Sequence, residues 1–142
     1  MKKSYVLYFI LIAAIVFVID RITKFLILSQ GRDGTTYFIP IINTGTFFSL
    51  FQGHNTMFTV ISMLILTLVL YLFRTYPQFY IELGLIFGGA LSNLIDRLIH
   101  GGIVDFINFR VWPIFNLADV AITIGIIMVA IKFIFGKSER KK

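Results

Sequence analysis

The stretch FYIELGLIFGGALSNLIDRLI, residues 79–99, decides the fold of this 142-residue chain. It is apolar over the ~20 residues that an α-helix needs to cross a ~30 Å hydrocarbon core. Gly84, Gly88 and Ser92 recur at four-residue spacing, which lets helices approach closely in lipid. An Asn-x-x-Asp segment, Asn93 to Asp96, lies near its C-terminal end. The stretch therefore predicts a closely packed transmembrane helix that carries polar side chains.

Three more apolar runs, residues 6–28, 57–73 and 115–135, are long enough to be membrane spans. Hydrophobic residues make up 58% of the chain and charged residues only 14%, which excludes an ordinary soluble protein. The first run is too long for the apolar core of a cleaved signal peptide, so we expect a retained helix. The prediction is an all-α membrane protein: one integral membrane domain, residues 1–142, with a four-transmembrane-helix bundle.

Residues 35–51 differ in character from the spans. Residues 35–42 are rich in β-branched and aromatic side chains and predict a strand, which Pro40 confines to an edge or interrupts. Residues 46–51 could form a second short strand. Together they predict a small extracytoplasmic β cradle on the membrane surface, whereas residues 103–114 are expected to form a short outer loop.

Basic residues lie before the first span, after the second and after the fourth. With four spans these places share one side of the membrane, and the positive-inside rule makes it the cytoplasm. Both termini are therefore expected to be cytoplasmic, and Glu82 to lie near that interface, where water reaches it. The basic C-terminal tail is interpreted as a topology anchor and not as a nucleic-acid site. The basic residues are Lys2, Lys3, Arg74, Lys137, Arg140, Lys141 and Lys142.

Three acids, Asp96, Asp105 and Asp119, gather near the outer ends of the last two spans. A charge at the centre of a bilayer helix costs about 2.5–3.5 kcal/mol, so a cluster of acids with amides suggests a site. Asn93 pairs with Asp96, and Asn116 with Asp119, at the i, i+3 spacing that predicts neighbours on one helical face. The helix dipole favours Asp119 in the first turn of the last helix.

Two carboxylates held close together cannot both ionise cheaply, so such a dyad shares a proton. The charged acid can take a proton from water while the protonated acid polarises a carbonyl, as in aspartic proteases. The chain has no Cys, and His54 and His100 fall in predicted loops, so no metal or other cofactor is expected. A serine triad lacks a His partner, but a Ser–Lys dyad using Lys24 stays open. The polar residues could also only bond helices together, at about 0.6 kcal/mol per contact.

Two further charged groups have alternative interpretations. Asp20 and Lys24 form an i, i+4 pair, either a plain ion pair at a helix end or a contact to the polar cluster. Arg97 could anchor a lipid phosphate or orient a carboxylate. For the chain as a whole, a proton-coupled carrier, a carboxylate–Mg²⁺ lipid phosphotransferase and a non-enzymatic helix scaffold remain alternatives to a protease.

Five segments, in order and over nearly the whole chain, resemble the lipoprotein signal peptidases (signal peptidase II), integral membrane aspartyl endopeptidases of bacteria. They are residues 20–24 (DRITK), 43–49 (NTGTFFS), 88–97 (GGALSNLIDR), 104–107 (VDFI) and 115–119 (FNLAD). The resemblance implies cleavage of a prolipoprotein signal peptide just before a diacylglyceryl-modified Cys. It places the protein in the bacterial cytoplasmic membrane, with its active site near the outer leaflet. The expected partners are this substrate and membrane lipid, and the chain is expected to be a monomer.

The resemblance also implies roles for individual residues. Asp105 and Asp119 would be the catalytic dyad, and Asp96 a supporting acid bonded to Arg97 or to the backbone. Asp20 and Lys24 would be a structural or headgroup-proximal pair. Other positions in the matching segments would line or support the substrate site, namely Asn43, Gly45, Asn93, Arg97, Asn116 and Ala118.

The chain departs from the family pattern in three places. Thr46 and Phe47 are bulkier than the residues that usually follow Asn-Thr-Gly, and Ser92 replaces a usual Gly. The loop after Asp105 is short and carries Arg110 and Trp112. These departures bear on the shape of the substrate groove and on specificity around the cut, and not on the dyad.

Overall fold

The structure, a computed structural model, describes residues 2–30, 38–45 and 53–135. Over these residues it contains the four predicted helices, whose ends lie close to the predicted ends of the spans, and a small two-stranded sheet, of which one strand lies in the predicted β element. A one-turn 3₁₀ helix, Pro77–Phe79, joins the second and third helices. The elements are α1 (Lys3–Gln30), β1 (Phe38–Asn43), α2 (Asn55–Thr75), α3 (Tyr80–His100), β2 (Ile103–Ile107) and α4 (Leu117–Phe135).

The helix α3 is the centre of the bundle. All four helices are long and apolar enough to cross a membrane, but 50% of the α3 span is buried, against 17–22% for the other three. It packs against α1, α2 and α4. Large apolar side chains such as Phe25, Leu64 and Ile134 are instead exposed on the outer helices. Helices that are apolar on their exposed faces are suited to a lipid environment.

Small residues on α3 permit this central position. A β-carbon built on Gly88 would lie 2.5 Å from the Ala13 carbonyl oxygen of α1, and one on Gly89 would lie 2.5 Å from the Ala118 carbonyl oxygen of α4. Both distances are too short for a real side chain, so each glycine allows direct backbone contact. The predicted packing role of the small-residue spacing is confirmed for Gly88.

The two strands pair in an antiparallel sheet, with Asn43 opposite Ile103 and Ile41 opposite Asp105. The loop predicted for residues 103–114 is therefore wrong over Ile103–Ile107, because the apolar residues on both sides of Asp105 suit a buried strand packed on α3. Gly101 ends α3 in the left-handed conformation, at φ 71°, and so turns the chain back toward β1. The predicted strand at 46–51 lies outside the described residues.

Glu82 is not at a wet interface, contrary to the prediction. Its side chain is fully buried, and the Lys132 Nζ from the last turn of α4 lies 2.5 Å from its Oε1. The same ammonium lies 5.5 Å from the centre of the Phe79 ring. The carboxylate is enclosed because Gly125 lets α4 approach the first turn of α3.

Candidate active site

Asp105 projects from β2 into a set of amide donors and is only 4% exposed. The Asn43 Nδ2 donates to its Oδ2 at 3.0 Å, and the Asn116 Nδ2 donates to its Oδ1 at 2.8 Å. The strand pairing brings Asn43 beside Asp105, and a bridge between Ile107 and Phe115 brings Asn116 to the same place. Both carboxyl oxygens are therefore held by side chains from distant parts of the chain.

Asp119 is held by a reciprocal cap at the start of α4. Its backbone N–H donates to the Asn116 Oδ1 at 2.9 Å, and the Asn116 N–H donates to the Asp119 Oδ2 at 3.2 Å. This arrangement is that of a capping box, in which two side chains accept from N–H groups that have no partner within the first helical turn. Asn116 thus precedes the helix, and the prediction that it shares a helical face with Asp119 is wrong. The Asn93 Nδ2 donates to the other oxygen, Oδ1, at 2.8 Å.

Asn116 joins the two acids. It donates to Asp105 while it caps Asp119, and its Nδ2 also lies 3.1 Å from the Asn93 Oδ1. Asn116 is fully buried, whereas Asp119 is partly exposed. Two carboxylates arranged around one amide, with one of them partly exposed, can bind and activate a water molecule.

A buried charge network lies beneath the acids. Asp20, Lys24 and Asp96 are all 0% exposed. The Lys24 Nζ lies 2.7 Å from Asp20 Oδ2 and 2.6 Å from Asp96 Oδ2, and donates to the Asn93 Oδ1 at 3.0 Å. Lys24 therefore contacts the polar cluster and does not simply anchor a helix end. Asp20 and Lys24 are completely buried within the protein, as a structural pair would be.

Asp20 also ties α1 to the start of α4. Its Oδ1 accepts from the Ala118 N–H at 2.9 Å, and its Oδ2 accepts from the Ser92 hydroxyl at 2.6 Å. Ala118 thus joins the polar cluster through its backbone N–H, and the residue is fully buried where α4 packs on α3. The hydroxyl of Ser92 was not expected to take part. The sequence did indicate its position, because Ser92 lies four residues before Asp96 and therefore on the same face of the helix.

Asp96 has partners other than the expected Arg97. Its Oδ2 accepts from the Val104 N–H at 3.1 Å, which confirms the predicted backbone contact. Its Oδ1 forms an ion pair with Arg21, which was not predicted. The expected bond to Arg97 is wrong because adjacent residues on a helix point in different directions. Arg21 lies on the turn of α1 between Asp20 and Lys24, a position that could have indicated it.

Arg97 connects the β element to α2. It is 5% exposed, and its Nη2 donates to the Gly45 carbonyl at 2.9 Å. Its Nη1 donates to the Asn55 Oδ1 at 3.2 Å, and the Asn55 Nδ2 donates back to the Arg97 carbonyl at 3.1 Å. The guanidinium also stacks over Phe58. Asn55 was missed in the sequence, where its only signal is its position just before an apolar span.

Burial, and after it the nearby charge of Asp119, raise the pKa of the Asp105 carboxyl to about 7, against the opposing effect of the hydrogen bonds from Asn43 and Asn116 and of the charge of Lys24. Asp105 can therefore keep a proton near neutral pH. Among the residues that the structure describes, no three His, Cys, Asp or Glu side chains are placed to hold a metal ion.

The sequence profile of the family described as signal peptidase (SPase) II matches residues 12–135, which include most of the four helices and every site residue described above. The chain belongs to the signal peptidase II family. This confirms the resemblance noted in the sequence. As a signal peptidase II the chain is a protease, and its four apolar helices make it a multi-pass membrane protein.

Relatives and solved structures agree with this membership. The chain is 33% identical to the lipoprotein signal peptidase of Moorella thermoacetica, over 93% of this chain and 96% of that one. It is also 33% identical to the lipoprotein signal peptidase of Staphylococcus aureus strain JH9, over 99% and 96%. A bacterial membrane enzyme solved by the in meso method at 2.3 Å superposes with a TM-score of 0.82 at 32% identity, over 94% of this chain and 91% of that one. The four-helix fold with its small sheet is therefore that of a known membrane enzyme.

Proposed function

We propose that this signal peptidase II hydrolyses diacylglyceryl-modified prolipoproteins just before the lipidated Cys, with Asp105 and Asp119 as an aspartyl dyad. The main support for this proposal is that one side chain, Asn116, contacts both acids. Its Nδ2 donates to Asp105, and its Oδ1 accepts from the backbone N–H of Asp119. The relatives that share the chain's length are lipoprotein signal peptidases, which supports the substrate class.

In the proposed reaction the dyad shares one proton. Asp105, whose pKa is raised to about 7, holds that proton and donates it in a hydrogen bond to the scissile carbonyl oxygen. Asp119, partly exposed, takes a proton from the attacking water as the water oxygen bonds to the carbonyl carbon. When the C–N bond breaks, the leaving amine takes the proton that Asp119 received, and the new carboxyl group is released with the signal peptide.

The supporting residues hold the acids in this geometry. Asn43, Asn93 and Asn116 orient the carboxyl oxygens, and Lys24 holds the Asn93 amide so that its Nδ2 faces Asp119. Asp20 holds the Ala118 N–H and thereby the first turn of α4. A further group fixes the sheet and the start of α2 around the site, namely Gly45, Asp96 and Arg97.

We further propose that the site faces the outer leaflet and that both termini are cytoplasmic. The site residues all lie at one end of the bundle, formed by the C-terminal parts of α1 and α3, the N-terminus of α4 and the sheet. Lys2, Lys3 and Arg74 lie at the opposite end, as expected for the cytoplasmic side. Acids gathered at one depth suit hydrolysis at a wet membrane surface better than a proton path across the bilayer. We also propose that the enzyme acts as a monomer in contact with membrane lipid.

The substrate assignment predicts cleavage at one bond. Purified enzyme incubated with a diacylated prolipoprotein is expected to release the signal peptide just before the modified Cys, as read by mass spectrometry. The same precursor with an unmodified Cys is the matched control and should be cut far more slowly. Activity should persist in a metal chelator. Cleavage at another bond, equal cleavage of both precursors or complete loss with chelator would reject the proposal.

The raised pKa of Asp105 predicts a pH profile. Since the reaction needs Asp105 protonated, activity should fall as the pH rises through about 7. Asn43 lowers the pKa of Asp105 by its hydrogen bond, so Asn43→Ala should raise that pKa and move the falling limb to higher pH. Rates of cleavage across the pH range measure this. Asn108→Ala, in the turn after β2, should leave the limb in place. A limb that does not move, or that moves to lower pH, contradicts the role given to Asp105.

A further inference from the structure

The contact between α3 and α4 has one polar pair at each end. At the end near the candidate active site, the Asn93 Nδ2 of α3 donates to the Asp119 Oδ1 of α4 at 2.8 Å. At the other end, the Lys132 Nζ of α4 lies 2.5 Å from the Glu82 Oε1 of α3. From residue 82 to residue 93 the helix α3 rises by about 16 Å. The second pair therefore lies far from the site, and the reaction proposed above does not use it.

Between these pairs α4 presents small residues to α3. Ala118, Ala121 and Gly125 are buried, at the spacing of three and four that defines one helical face. Lys132 follows Gly125 by about two helical turns and lies on the same face. A β-carbon built on Gly125 would lie 2.7 Å from the Glu82 carbonyl oxygen, so the two helices touch there through their backbones. Lys132 therefore extends the contact face of α4 to Glu82.

The bilayer gives α4 little preference for one rotation about its own axis. No charged side chain lies between Asp119 and Lys132 in the sequence, and most residues of this stretch are apolar. Since lipid tails are as apolar as these side chains, no hydrophobic force turns one face toward α3. Small residues allow close approach but do little to prevent one helix from rolling on the other. Polar contacts must therefore fix the rotation of α4, and Lys132 makes such a contact far from the site.

Glu82 depends on Lys132 for its charge balance. The carboxylate is 0% exposed, and in the part of the chain that the structure describes its oxygens accept no hydrogen bond. Its ion pair there is with Lys132, whose ammonium also lies 5.5 Å from the centre of the Phe79 ring. Removing one partner of a buried ion pair leaves an uncompensated charge at high cost. A roll of α4 that separated the two groups would have the same cost, so the pair resists it.

The rotation of α4 sets the position of Asp119. Asp119 follows the buried Ala118 by one residue, about 100° around the helix, and so lies at the edge of the contact face. A roll of about 20° would move a group about 5 Å from the helix axis by about 2 Å. Asp105 lies on β2, which pairs with β1, so it would not follow that movement. Since a misplacement of about 1 Å can lower a rate about 10²-fold, the proposed dyad needs α4 in one rotation.

We propose that Glu82 and Lys132 are positioning residues: their ion pair fixes the rotation of α4 on α3 and keeps Asp119 directed at Asp105. The proposal rests on the dyad proposed above and adds two residues that act on it through α4, from about 20 Å along the helix. Neither residue touches the substrate or the reacting atoms. Loss of the pair should therefore lower kcat and leave KM for the precursor little changed.

Two variants separate positioning from stability. Lys132→Met leaves the Glu82 carboxylate buried without its cation, so stability and kcat should both fall. Glu82→Gln with Lys132→Met has no stranded charge and should recover most of the stability, while kcat stays at least about tenfold below normal. Lys132→Arg keeps the charge and should keep normal kcat. Initial rates with a diacylated prolipoprotein and thermal unfolding in nanodiscs measure the two effects.

A purely structural pair predicts instead that kcat recovers together with stability in the neutral double variant. That outcome, or normal kcat in Lys132→Met, would overturn the proposal. If Lys132→Met does not fold, the double variant decides alone. Failure of the unsubstituted enzyme to cut the precursor would refute the proposed function and not the positioning role.

Two control variants alter the same end of the bundle without touching this pair. Arg74→Met removes an exposed cation from the last turn of α2. Phe73→Leu removes the ring that stacks on Phe9, in a core cluster of residues from α1, α2 and α3. We expect normal kcat from the folded part of both proteins, although Phe73→Leu should be less stable. A loss of kcat in either one as large as in the double variant would overturn the proposal.

Distances between spin labels test the rotation without substrate. The chain has no Cys, so cysteines introduced at Ile124 of α4 and Leu64 of α2, both exposed, take one nitroxide label each. Pulsed EPR on the full chain in nanodiscs gives the distance between the labels. Its distribution should shift or broaden in Glu82→Gln with Lys132→Met and stay unchanged in Lys132→Arg. An unchanged distribution in the double variant would overturn the proposal, whatever the enzyme cleaves.

Discussion

Asp105→Asn and Asp119→Asn should each lower kcat/KM for a diacylated prolipoprotein by at least about 10³-fold, within the range expected for loss of an acid or base. Asparagine keeps the shape of the side chain but can neither hold the shared proton nor accept one from water. Both acids sit in hydrogen-bond networks that an amide can partly satisfy, so the proteins should remain folded. Initial rates with purified variants, together with their thermal unfolding, measure the effect.

Asp96→Asn is the matched control for the dyad, because it makes the same change at the third acid of the cluster. Asp96 binds Lys24, Arg21 and the Val104 N–H, and none of its contacts is with Asp105 or Asp119. We expect reduced stability but substantial turnover by the folded fraction. Near-normal turnover by either dyad variant would remove that residue from the chemistry. Complete loss of turnover by folded Asp96→Asn would show that the acids are ranked wrongly.

Lys24→Met should lower the free energy of unfolding by about 3–5 kcal/mol, the cost of removing one partner from a buried ion pair. The ammonium is fully buried and lies within 2.7 Å of Asp20 Oδ2 and 2.6 Å of Asp96 Oδ2. Without it, the buried Asp20 loses its cationic partner, Asp96 keeps Arg21 alone, and Asn93 loses the donor that fixes its orientation. Denaturant or thermal unfolding in detergent or lipid nanodiscs measures the loss.

Two comparisons test the cause of this loss. Thr23→Ala changes the neighbouring residue, whose exposed hydroxyl bonds only to the Ile19 carbonyl of its own helix, and should change stability by no more than about 0.5 kcal/mol. The double variant Asp20→Asn with Lys24→Met removes the charge that Lys24→Met leaves without a cation, and it should be more stable than Lys24→Met alone. If Lys24→Met is as stable as Thr23→Ala, the buried network is not what holds this end of the bundle together.

Local pattern in the sequence was enough to predict the four helices and a cluster of acids at one end of the bundle. The choice of Asp105 and Asp119 as a dyad came from the family resemblance and stays a prediction. Apolar runs near 20 residues leave a membrane helix as the stable choice, because every backbone polar group must be satisfied within the span. The small residues around Gly88 indicated close packing, and the order of the acidic segments indicated a site at one end of the bundle. These are properties of neighbours in sequence or of a repeated spacing.

The partners within the site were decided by the tertiary structure. Asp96 was expected to bind the adjacent Arg97 but pairs with Arg21 and Lys24 of α1, and Asn43 meets Asp105 only because a predicted loop is the strand β2. Glu82 is buried because α4 packs over it. The sequence determined which polar side chains must find partners inside the bundle, since an unpaired polar group is costly in lipid. Which group satisfies which depends on helix rotation and strand register, and these are set by packing between segments far apart in the chain.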